Sequence, residues 1–115
     1  MLVNRTTAEP LARSVCQCGT FWRRLRGLML RPRLTADEAY LFTFPGESAA
    51  AASVHMMFVF FPIALVWLDR GQRVVDTRLA RPFRLWYAPR RPAKYLIEGV
   101  PELLDLVKVG DELEF

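Results

Sequence analysis

Few side chains in this sequence can do chemistry, and the first to consider is His55, the only histidine. It heads the apolar run Met56-Met57-Phe58-Val59-Phe60-Phe61, where an imidazole can act as a general acid or base, an anion contact or a metal ligand. A single histidine beside an apolar strand is more simply a hydrogen-bonded structural residue. Arg31 belongs to the basic cluster Arg23, Arg24, Arg26, Arg31 and Arg33. Its guanidinium can clamp a carboxylate or phosphate through two parallel hydrogen bonds, whereas Arg23, Arg24 and Arg26 read as a solvated helix face. Glu98 ends the apolar stretch Tyr95-Leu96-Ile97 just before Gly99. A carboxylate there is expected to pair with an arginine rather than to exchange protons. His55, Arg31 and Glu98 form the candidate ligand-binding set, suited to a small anionic or polar ligand or a protein segment.

A second set is Trp86 and Tyr87, flanked by Arg84, Arg90 and Arg91 in a proline-rich stretch. Aromatics interleaved with cations can stack on bases while the charges follow a phosphate backbone, so nucleic acid is an alternative partner. The plainer reading has Trp86 capping the core beneath a loop. Cys16 and Cys18, two residues apart, would share one face of a strand at a spacing too long for an unstrained disulfide. With one histidine they fall short of a closed zinc site, so no metal is expected. Neither Ser53 nor Cys16 has a motif that presents a nucleophile, and the six glycines are isolated, with no phosphate-binding loop. No cofactor is expected. An enzyme, a hydrolase or transferase with His55 as general acid/base and Arg31 stabilising negative charge, is the alternative to a non-catalytic binding module.

These residues must be positioned by a chain of 115 residues, 52% apolar, enough for one domain over residues 1–115 with a hydrophobic core and no need of disulfides. The net charge of +4 favours acidic partners without defining a site. Only Lys94 and Lys108 of the 16 basic side chains are lysine, a skew that genome composition explains as readily as anion recognition. The first residues lack a secretory signal pattern, so a cytoplasmic location with reduced thiols is expected. Residues 48–68 carry no ionised side chain over a length that could span a bilayer. Pro62, His55 and the β-branched and aromatic content favour two short buried strands instead, with no stable membrane insertion. Oligomeric state is open.

Periodicity predicts strands over residues 11–18, 39–44, 54–60, 63–68, 73–76, 95–98 and 112–115. Thr20 can cap a short amphipathic helix carrying Phe21, Trp22, Leu25, Leu28 and Met29 on one side. Residues 45–47 with the alanine run 49–52, and residues 81–92, read as loops, although four alanines could also make one helical turn. Asp69-Arg70-Gly71-Gln72 reads as a hairpin turn, with Gly71 available for a positive φ. Pro101 suits the first position of a second short helix. About seven short strands and one or two short helices make a mainly β, compact, β-barrel-like domain, with α+β as the alternative.

An ordered set of motifs adds a resemblance. Arg24-Leu25-Arg26-Gly27-Leu28-Met29 with Arg31, Phe44-Pro45, the stretch from His55 to Pro62-Ile63 and Leu65-Val66-Trp67-Leu68-Asp69 occur in order, followed by Tyr95-Leu96-Ile97-Glu98-Gly99 and Val109-Gly110-Asp111. Together they resemble the small bacterial and archaeal family known as domain of unknown function 192, from about Arg13 to the C-terminus. The resemblance implies a compact, mainly β fold and no agreed activity or cofactor. Members commonly carry an aspartate where this chain has Ala64. That departure puts a site dependent on the carboxylate in question.

Overall fold

The computed structural model of the chain describes residues 1–18, 38–48, 62–81 and 87–115, the side chains of 16–18 and 45–48 excepted. The predicted helix around Phe21 and the predicted strand 54–60 lie outside these residues. The described residues are mainly β. In chain order the strands are β1 (Leu2–Asn4), β2 (Glu9–Ala12), β3 (Ser14–Cys18), β4 (Glu38–Ser48), β5 (Ile63–Leu68), β6 (Val74–Ala80), β7 (Ala93–Gly99) and β8 (Leu113–Glu114), with a 3-10 helix at Pro101–Asp105 between the last two.

Strand β5 is buried at every position, as its unbroken apolar sequence requires of a strand covered on both faces. It lies inside a five-stranded sheet of order β3-β4-β7-β5-β6. Alternate residues feed two separate cores. Tyr40, Phe42, Ile63, Leu65, Trp67 and Leu96 cluster on what we term the outer face. Ala39, Leu41, Ala64, Val66, Leu68 and Ile97 join Leu2, Leu103 and Leu113 on the inner face.

The second sheet, of order β2-β1-β8, supplies Leu2, Leu11, Ala12 and Leu113 to that inner core. An isolated bridge between Arg73 and Glu112 links it to the hairpin end of β6. Its opposite edge, β2, runs through Arg13 into β3. The predicted single strand 11–18 is therefore two strands that change sheet at Arg13. Among the described residues the two sheets are not closed into a barrel. A further difference is that β3 and β4 pair in parallel, Ser14 opposite Glu38 and Cys18 opposite Phe42. Parallel neighbours need a crossover rather than a hairpin.

A buried polar knot holds the inner core shut. Asn4 is fully buried. Its Nδ2 donates to the Leu106 carbonyl at 3.0 Å and to Asp111 Oδ2 at 2.8 Å. Its Oδ1 accepts from the N–H groups of Thr6 and Thr7. Asp111 Oδ2 also accepts from Lys108 N–H at 2.9 Å. Every hydrogen-bonding site of the amide is thus used, which removes the desolvation cost of about 1–3 kcal/mol that an unmatched buried group carries. The turn beneath needs glycine, because Gly110 has φ +99°.

The β5–β6 hairpin forms where expected, but not by the expected residue. Asp69 Oδ1 accepts from Gly71 and Arg73 N–H, and Gln72 N–H donates to the Asp69 carbonyl. The positive φ, 64°, falls on Gln72 and not on Gly71. A β-carbon on Gly71 would meet Asp69 Oδ1 at an ordinary 3.4 Å. Gln72→Gly should therefore raise stability in urea unfolding by about 1 kcal/mol. Gly71→Ala should leave stability unchanged or raise it by no more than about 1 kcal/mol. A larger loss from Gly71→Ala than from Gln72→Gly would contradict this turn.

Candidate functional site

Cross-strand register sets the chemistry of the outer face. Tyr40 on β4 lies opposite Glu98 on β7, which lies opposite Leu65 on β5, which in turn lies opposite Arg78 on β6. The next row is Phe42, Leu96, Trp67 and Asp76. Directly opposed residues share a face, so Glu98 is a carboxylate set among aromatic and aliphatic side chains in the middle of the sheet. It is only 5% exposed. Charge at such a position persists only when paired or hydrogen-bonded, and Glu98 is indeed not an isolated group.

Asp76 and Tyr87 anchor the chain beside this face. Asp76 is buried; its Oδ1 accepts from Thr77 N–H and its Oδ2 from Arg90 N–H, each at 2.9 Å. The Tyr87 hydroxyl accepts from Arg81 N–H at 2.9 Å. Arg78 places its guanidinium carbon 6.0 Å from the centre of the Tyr87 ring, at the outer limit of cation–π contact.

The placements of the candidate residues divide clearly. His55, Arg31, Arg84 and Trp86 lie outside the described residues. Glu98 is on the outer face, as above. Arg90 and Arg91 are exposed. Tyr87 is 2% exposed and belongs to the outer core. Its ring has no free face to stack on a base, which corrects the expectation of an exposed aromatic there. Proline and arginine neighbours mark a loop but do not reveal which way one ring turns. Asp76 was not singled out in the sequence; only its position among the polar positions of an otherwise apolar hairpin hinted at a buried role.

Ala64 sits on the opposite side of the sheet. It pairs with Gly99, itself beside Ala39, and all three belong to inner-face rows. A β-carbon on Gly99 would come within 3.0 Å of Leu103 Cδ2. The small side chains of this row thus make room for the 3-10 helix. A crevice lined by Ala12, Glu38, Ala39, Gly99 and Leu103 has room for about one water, ≈ 10 Å³. The alanine at position 64 therefore leaves the Glu98 face untouched.

Residues 63–68, part of the uncharged stretch considered as a helical span, form a strand. No helix among the described residues is long and apolar enough to cross a membrane. No group of three His, Cys, Asp or Glu side chains that could hold a metal occurs among the described residues.

The model of domain of unknown function 192, described as "Uncharacterized ACR", matches residues 3–115. The chain belongs to this family. A UPF0127 protein of Thermococcus sibiricus is 38% identical over 100% of this chain and 74% of its own length. The UPF0127 protein of Pyrococcus furiosus is 35% identical over 99% of this chain and 97% of its own. Among solved structures, a protein of unknown function from Novosphingobium aromaticivorans superposes with a TM-score of 0.84, covering 99% of this chain and 82% of that one at 22% identity. A candidate transcription regulator from Sinorhizobium meliloti superposes with a TM-score of 0.78 over 87% of this chain and 79% of that one, also at 22% identity. At that identity the two structures establish a shared fold for this member of the domain of unknown function 192 family, and no more.

If Tyr87 is core rather than platform, its substitutions must register in stability. Tyr87→Phe should cost about 1 kcal/mol by leaving Arg81 N–H without its acceptor, and Tyr87→Ala about 3–5 kcal/mol. Thermal and urea unfolding measure both; an unchanged Tyr87→Ala would mean that the ring does not pack as described.

Proposed function

We propose that this family member is a small non-catalytic binding module whose site lies on the outer face of the five-stranded sheet, with Glu98 at its base and His55 and Arg31 as the polar groups that reach the ligand. The observation that carries the reading is the buried carboxylate of Glu98, flanked by Tyr40 and Leu65 on a face whose other polar groups, Asp76 and Arg78, lie on the edge strand β6. A buried carboxylate calls for a cationic or hydrogen-bonding partner. The guanidinium fork of Arg31 has the chemistry to hold an anion through parallel hydrogen bonds. His55 would add a neutral or charged donor near physiological pH. The ligand class is a small anionic or polar molecule, or a protein segment bearing a carboxylate, met in the cytoplasm.

The location of Ala64 favours this reading over one in which the site has been lost. Its side chain joins the inner core with Ala39 and Val66, across the sheet from Glu98. The family's common aspartate at that position would therefore bear on the seat of the 3-10 helix.

Calorimetry and thermal-shift screening of phosphate, sulfate, citrate, sugars and nucleotides test the proposal. At least one anion should stabilise the protein, and Arg31→Ala or His55→Ala should weaken its binding at least tenfold, about 1.4 kcal/mol. Unaltered binding in both variants, or no binding across the panel, would defeat it.

A further inference from the structure

The second feature lies apart from Glu98, at the edge strand β6. Two backbone ties bring Arg81 and Arg90 to this edge, since Tyr87 Oη accepts from Arg81 N–H and Asp76 Oδ2 from Arg90 N–H; the Arg78 side chain stands over the Tyr87 ring, and Arg91 follows Arg90 in the chain. Arg81, Arg90 and Arg91 are exposed and Arg78 is half-buried. Among the described residues none of the four makes an ion pair, whereas Arg73 at the hairpin end pairs with Glu112 at 3.4 Å. Asp76, the carboxylate beneath them, is occupied by the backbone N–H groups of Thr77 and Arg90. The result is a ridge of arginines that makes no ion pair among the described residues, on a chain of net charge +4.

We infer that this ridge of Arg78, Arg81, Arg90 and Arg91 docks the phosphate backbone of a nucleic acid without reading its bases. Charge complementarity selects the partner: guanidinium forks match phosphate oxygens, and several forks in a row match a polymer of regularly spaced phosphates better than a lone anion. With Tyr87 turned into the core, the described part of the ridge offers charge and no aromatic platform, so contact is to phosphate and carries little sequence preference. The inference is independent of the Glu98 site.

Fluorescence anisotropy with a short labelled duplex, titrated at several salt concentrations, decides it. Four phosphate contacts at about −0.9 each give a slope of log K against log salt near −3 to −4, an affinity loss of about a hundredfold between roughly 50 and 200 mM salt. Scrambling the duplex should leave the affinity unchanged. The triple variant Arg81→Gln, Arg90→Gln, Arg91→Gln, shown by its melting curve to be folded, should flatten the slope by about 2.7. Arg13→Gln, at the opposite edge of the sheet, should not alter it. Absence of binding at low salt, a slope unaffected by the triple variant, or marked dependence on base sequence would overturn the inference. So would binding to anionic phospholipid vesicles with no binding to the duplex.

Discussion

The structure depends on a sheet that must be covered on both sides. All six residues of β5 are buried, and so are Leu96 and Ile97 on the neighbouring β7 and Leu41 and Phe42 on β4 beyond it. A strand of this kind leaves no solvated face for polar side chains. Every polar group admitted to it has therefore to be matched by a partner. This makes Glu98 conspicuous, and it separates two regions that the sequence presents side by side: residue 98 belongs to the outer face, whereas residues 64 and 99 belong to the inner one.

The inner face explains much of what the family-like motifs do. Gly99 allows Leu103 close to the sheet. Gly110 supplies a positive φ, and Asp111 takes the amide of Asn4, fastening the first strand to the last. These residues are architecture. The outer face, by contrast, buries the carboxyl group of Glu98 opposite Tyr40 and Leu65, where a hydrophobic residue would pack without a desolvation cost.

How much was legible from sequence follows from the range of each interaction. The apolar run of β5 and the turn at Asp69 are local, and both stand where the pattern places them. The positive φ was assigned to Gly71 by residue type, but the geometry of the Asp69 turn puts it one residue later, at Gln72. β4 is longer than expected because Pro45-Gly46 signals a turn while the backbone continues in the strand to Ser48. Asn4 and Asp111 are 107 residues apart, so no local pattern could pair them. The parallel pairing of β3 with β4 was likewise hidden, as apolar alternation does not record strand direction. The place of Glu98 in a strand is legible from the apolar stretch Tyr95-Leu96-Ile97 before it; the inward turn of Tyr87 and the tether at Asp76 depend on packing between segments.

The proposed site requires that a ligand engage the face bearing Glu98 and not the face bearing Ala64. Methyl resonances distinguish the two directly, since Ile63, Leu65 and Leu96 report the outer core and Val66, Ile97 and Leu103 the inner. During a titration with orthophosphate or citrate to millimolar concentration, the account predicts saturable shifts concentrated in the outer set. Shifts concentrated in the inner set, or no saturable shift in either, would contradict it.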